Sequence, residues 1–195
     1  MDKKADKKSY YYLIAQLPWL QYGEPAPYTP DEFLEQCEGI LSKNDYEILQ
    51  YCTMDVSILD AAPHTNCHLL NTWVARERTL RYNLAQLRSV KLKRGRQDEH
   101  TEAPHDSPRA EAVANAAFAM NNPLKAELMM DKGRWETVDA LQSGGIFSID
   151  AIFAHMLKLR LMQRRAYFEE EEGQAEFDAL YTSISQEADK LLQYK

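Results

Sequence analysis

The sequence predicts an all-α protein, a multi-helix bundle with a central hydrophobic helix at about 149–168. Three observations carry that prediction. All eight prolines lie at or before Pro123, so everything after it can run as helix without a proline stop. β-branched residues are sparse, and few segments alternate apolar and polar residues. Apolar residues recur instead at helical spacing in every long segment. With 195 residues the chain makes one domain or two small ones, long enough to bury a real core.

Met1–Lys8 mixes lysines with Asp2 and Asp6 and reads as a disordered, solvated tail. Its acids, the tyrosine-rich run after it and the lack of an Ala-x-Ala site argue against a signal peptide. Next comes Ser9-Tyr10-Tyr11-Tyr12-Leu13-Ile14-Ala15-Gln16-Leu17-Pro18. Tyr10, Leu13, Ile14 and Leu17 share a helical face, although tyrosine and isoleucine also suit a strand; Pro18 closes the segment either way. Residues 21–28 form a loop. Thr29-Pro30-Asp31-Glu32 is a helix start with a capping box, and Tyr28 and Phe33 stand at staple positions. Gly39 ends that helix, and Ser42-Lys43-Asn44-Asp45 caps another that runs to about Met54. Asp60–Asn66, with Pro63, is a turn.

A long helix follows, roughly Cys67–Lys93, with Leu69, Trp73, Leu80, Leu84 and Leu87 as its stripe. Arg76 falls on that stripe and reads as an edge residue that snorkels outward. The polar 95–108 segment reads as a flexible loop between an N-terminal helical part, 9–94, and a C-terminal part, 109–195, the two packing as one unit. Arg109–Ala119 is an alanine-rich helix, and Asn122-Pro123 starts another that breaks near Gly133. Ile149–Phe168 is apolar nearly all round, the mark of a helix central to a bundle. Beyond Glu169–Glu172 and Gly173, the spacing of Phe177, Leu180, Tyr181, Ile184, Ala188, Leu191 and Leu192 predicts a last helix.

A net charge of −7 argues against nucleic acid as a bulk partner, because phosphate binding draws on a surplus of Lys and Arg. No apolar run reaches the length of a membrane span. Cys37, Cys52 and Cys67 show no Cys-x-x-Cys pairing and suit reduced thiols in a cytosolic protein. His64, Cys67 and His68 come nearest to a metal site, but Pro63 spoils a shared helical face and no second cluster supplies further ligands. No nucleophile elbow and no phosphate-binding glycine loop is present. These readings predict no catalytic residue, metal or cofactor and no small-molecule substrate.

Two charge runs remain. From Arg76 to Arg96 the chain carries eight basic residues, Arg76, Arg78, Arg81 and Arg88 among them, against the single acid Glu77. Only Tyr82 interleaves, so an acidic protein face fits this run better than RNA or DNA. The bland alternative is a solvated face balanced by the acidic loop after Gln97. The second run is Glu169, Glu170, Glu171 and Glu172, which reads as a solvated face or an acidic docking segment.

Three segments together resemble a known family. They are Tyr10–Pro18; Asp31-Glu32-Phe33-Leu34 with Leu41–Tyr46; and Phe147–Ile152 with Leu157-Lys158-Leu159-Arg160, Arg164-Arg165 and Glu171-Glu172-Gly173. The arginine-rich Asn71–Arg81 stretch is similar too. The resemblance is to a bacterial family of uncharacterised proteins associated with V-type ATPases. Its members look like shortened relatives of the central-stalk subunit called C in prokaryotic enzymes and d in eukaryotic ones. It implies an all-helical, non-catalytic spacer that couples the rotor ring to the central shaft. Such a protein would sit in the cytoplasm, held at the membrane by partner subunits. The alternative is an independent helical adaptor that uses the basic 76–96 helix.

Overall fold

Eight helices and no strand make up the residues described by the computed structural model, 7–92, 108–142 and 148–168. The all-α class is therefore as the sequence predicts. The readings for Met1–Asp6, for most of the 95–108 loop, for Glu169–Glu172 and for the last helix fall outside the described residues.

Local chemistry explains most of the helix starts. The first helix, α1 (Lys7–Gln16), begins two residues before Ser9 and settles the choice between helix and strand. It turns Leu13 and Ile14 inward and leaves Tyr12 exposed. α2 (Pro30–Cys37) carries the full capping box: Thr29 Oγ1 accepts from the Glu32 N–H, and Glu32 Oε2 accepts from the Thr29 N–H at 2.7 Å. The Tyr28 ring stacks on Phe33 at 6.0 Å, completing the staple. Past the end of α2, Gly39 takes φ +76°, a conformation open to glycine at little cost. α3 (Lys43–Gln50) is capped by Ser42.

The sequence reading missed α4 (Val56–Ala61), a short helix capped by Asp55. α5 (His68–Lys91) takes Cys67 as its cap, with Sγ accepting from the Leu70 N–H. α6 spans Pro108–Phe118 and α8 spans Ile149–Ala166. α7 (Pro123–Leu141) runs through Gly133 without the expected break. The glycine serves a close approach instead. A Cβ at Gly133 would lie 2.8 Å from Cγ2 of Val113, so the missing side chain is what lets α6 pack so near.

Two apolar clusters result. The larger gathers α1 to α4, the first half of α5, the end of α7 and α8 around Phe33, Leu49, Trp73, Phe153 and Leu157, all within 1% of full burial. In α8 every residue from Ala151 to Leu157 is buried, and the helix packs against α1, α2, α3, α5 and α7. The smaller cluster sets Ala110, Ala114 and Ala117 of α6 against Leu80, Leu84 and Met130 of α5 and α7. α5 and α7 therefore belong to both. No described helix is long and apolar enough to cross a membrane.

Candidate functional site

The basic run on α5 divides into inward and outward parts. Arg76 does not snorkel. It is 5% exposed, and its Nη2 donates to the Gly133 carbonyl of α7 at 2.9 Å. Its place on the apolar stripe carries it between helices rather than to an edge. Arg78 donates to the carbonyls of Leu59 and Asp60, and Arg78 and Arg81 both pair with the Asp60 carboxylate at the end of α4. Arg88 stays exposed one turn before the end of α5. Of the four arginines singled out from the sequence, Arg88 is thus the one directed wholly outward.

Where the two clusters meet, α5, α7 and α8 hold a chain of charges that apolar periodicity does not reveal. Glu77, the lone acid of the basic run, is 2% exposed. Its Oε1 accepts from Arg134 Nε and its Oε2 from Arg134 Nη2, each at 3.0 Å. Arg134 Nη1 donates to Asp131 at 2.8 Å. Arg164 of α8 donates to both Asp131 oxygens at 2.6 Å and, through Nη2, to Glu127 at 2.7 Å. Burial works against the charge on Arg134. Glu77 and Asp131, by charge and hydrogen bonds, more than offset it and hold the Arg134 pKa above its ordinary value.

Arg76 shows the opposite balance. Burial lowers its pKa to about 10 despite Glu77, whose Oε1 lies 3.7 Å from Nη1. Its Nε and Nη1 make no hydrogen bond. Guanidinium groups engage both oxygens of Glu77 and both of Asp131. The network ties α5, α7 and α8 together. A sequence signal for it exists: Glu127, Asp131 and Arg134 recur at spacings of four and three on one face of α7.

A second polar feature lies inside α8. His155 Nε2 and the Tyr28 hydroxyl are 2.7 Å apart. Burial lifts the Tyr28 pKa to about 12, so its O–H donates to a neutral ring. Burial, aided by the Lys158 charge, lowers the His155 pKa to about 4. The ring lines a cavity of about 180 Å3 together with Leu17, Trp19, Leu20 and Lys158. Cys37 lies near Tyr28, but burial pushes its thiol to about 12, far from the thiolate a nucleophile needs. Cys52 and Cys67 are likewise pushed up by burial. Among the described residues no group of three or more His, Cys, Asp or Glu side chains converges as a metal site would require.

Exposed aromatics complete the surface. Tyr12 is 69% and Trp19 86% exposed. Tyr12, Ala15 and Gln16 share the outer side of α1, and Trp19 follows Pro18 beyond the helix end, at the wall of the His155 cavity. The comparisons with protein-family models, with curated proteins and with solved structures find no match to this chain.

Proposed function

We propose that the chain is a non-catalytic helical component of a V-type ATPase, a central-stalk spacer between the rotor ring and the shaft. The observation that carries the reading is where the resembling segments lie. Tyr10–Gln16 falls on α1, Asp31–Leu34 on α2, Ser42–Tyr46 at the start of α3, and Ile149–Arg165 on α8. α8 packs against each of the other three, so the segments form one packed unit rather than scattered likenesses. A spacer that carries torque needs stiff, cross-tied helices, and the Glu77–Arg134–Asp131–Arg164–Glu127 chain supplies such ties. It would work on the cytoplasmic side, held at the membrane by its partner subunits.

The test is co-purification of the tagged, full-length chain from native membranes. Rotor-ring and shaft subunits are the expected companions. A fully coupled ATPase in a strain lacking the gene would overturn the assignment.

The second reading, an independent adaptor, draws on the exposed position of Arg88 and Lys91 at the end of α5. Under it, Arg88→Glu with Lys91→Glu abolishes partner capture and leaves the fold intact. Arg78 and Arg81 are less suitable targets, since both are engaged with Asp60.

A further inference from the structure

The end of α5, the end of α6 and the first turns of α7 enclose a groove of about 360 Å3. Its floor is apolar, with Leu84, Ala117, Ala126 and Met130. Its rim is basic. Arg88 and Lys91 line it, and Lys91 Nζ stands 5.4 Å from the centre of the Phe118 ring. An occupant must therefore bring apolar side chains for the floor and carboxylates for the rim.

We propose that this occupant is the chain's own C-terminal segment, Glu169–Lys195. Charge is the first argument. The segment holds eight acids and two lysines, a net −6 out of the chain's −7. From Arg78 to Gln97, by contrast, there are seven bases and no acid. Of these bases Arg88 and Lys91 form the rim, and the most acidic stretch of the sequence is the candidate to cover it.

Apolar content is the second argument. The acidic stretch 97–107 could neutralise the rim, but Ala103 and Pro104 are its only apolar side chains, too small to fill the floor. The C-terminal segment brings Phe177, Leu180, Tyr181 and Ile184 at a spacing that puts them on one helical face.

The exit point of the chain is the third. Arg164, in the last turn of α8, is bonded to Glu127, and Glu127 lines the groove. Phe168 packs on the Arg164 guanidinium at 4.8 Å. The chain therefore leaves α8 one side chain away from the groove wall. The 27 residues beyond it span about 40 Å as a helix, ample to lie along the groove. The inference does not depend on the stalk assignment, and either can fail without the other.

A photoreactive benzoylphenylalanine in place of Phe118, in the full-length chain, tests it. Crosslinks mapped by mass spectrometry should fall on residues 174–192 of the same molecule. Glu169→Lys, Glu170→Lys, Glu171→Lys and Glu172→Lys together should lower the yield about fivefold, the loss of a few exposed ion pairs. Adding Arg88→Glu and Lys91→Glu to that variant should restore most of it. An unchanged melting temperature shows that the variants remain folded. Crosslinks to 95–107, crosslinks between two chains, no crosslink at all, or a yield indifferent to the charge reversals would each overturn the proposal.

Discussion

The two apolar clusters share α5 and α7 but are built on opposite principles. The larger buries bulky side chains, Trp73, Phe33 and Phe153 among a set of leucines, and gains from the apolar area removed from water. The smaller has alanines on α6 facing Leu80, Leu84 and Met130, and it gains from helices drawn close enough for backbone and side chain to touch. A gap harms the first most, and an added methyl harms the second most. Between them lies a charged seam that belongs to neither. Because the same two helices serve both clusters, damage at the seam reaches both.

The largest expected effect tests whether the seam is truly interior. Glu77→Ala leaves Arg76 buried without its carboxylate and Arg134 with Asp131 alone, and it should cost about 3–5 kcal/mol in urea unfolding. A loss below about 1 kcal/mol would place the pair among ordinary surface contacts. The second probes the larger cluster through protons. The folded state keeps His155 neutral down to about pH 4, whereas an unfolded histidine takes up a proton near 6.5. The unfolded chain thus binds more protons between those values, and stability must fall as pH falls through that window. By pH 5 the loss attributable to His155 should be about 2 kcal/mol. His155→Gln keeps an acceptor for Tyr28 and should flatten the fall in melting temperature between pH 7 and 4.5.

The third probes the smaller cluster. Alanine for glycine in an unobstructed helix stabilises by about 1 kcal/mol. At Gly133 the new Cβ meets the stiff Val113 side chain, so Gly133→Ala should instead destabilise by about 1–3 kcal/mol. Val113→Ala in the same chain should recover most of that; failure to recover it would break the close-approach explanation. The smallest effect is local to the edge of the larger cluster. Thr29→Ala removes the acceptor of the Glu32 N–H and should cost about 1 kcal/mol, read as a lower melting temperature.

What could be read from the sequence was what depends on near neighbours. Thr29 and Ser42 cap their helices through contacts three residues away, and their helices start where the spacing predicts. The start of α5 was legible to within a residue from its apolar stripe and the Pro63 turn before it. Where distant segments decide the outcome, local reading failed. Gly133 looks like a breaker by propensity, yet α7 continues because Val113 of another helix occupies the space. Arg76 stood out on the apolar stripe, but no local feature points to the Gly133 carbonyl that receives it. His155 and the acids of α7 were passed over because a search for apolar period discards polar residues on the same face. α4 was too short for any period to register.

Trp19 has a spectroscopic consequence. The chain has three tryptophans; Trp73 is fully buried, Trp135 is 7% exposed, and Trp19 is 86% exposed. Red-edge emission and quenching by a charged solute such as iodide should therefore report on Trp19 almost alone. Any molecule that covers Trp19 at the wall of the His155 cavity would shift that emission to the blue and protect it from the quencher. The native chain thus carries its own fluorescent probe at the most exposed aromatic side chain among the described residues, and no label is needed to see that surface become occupied.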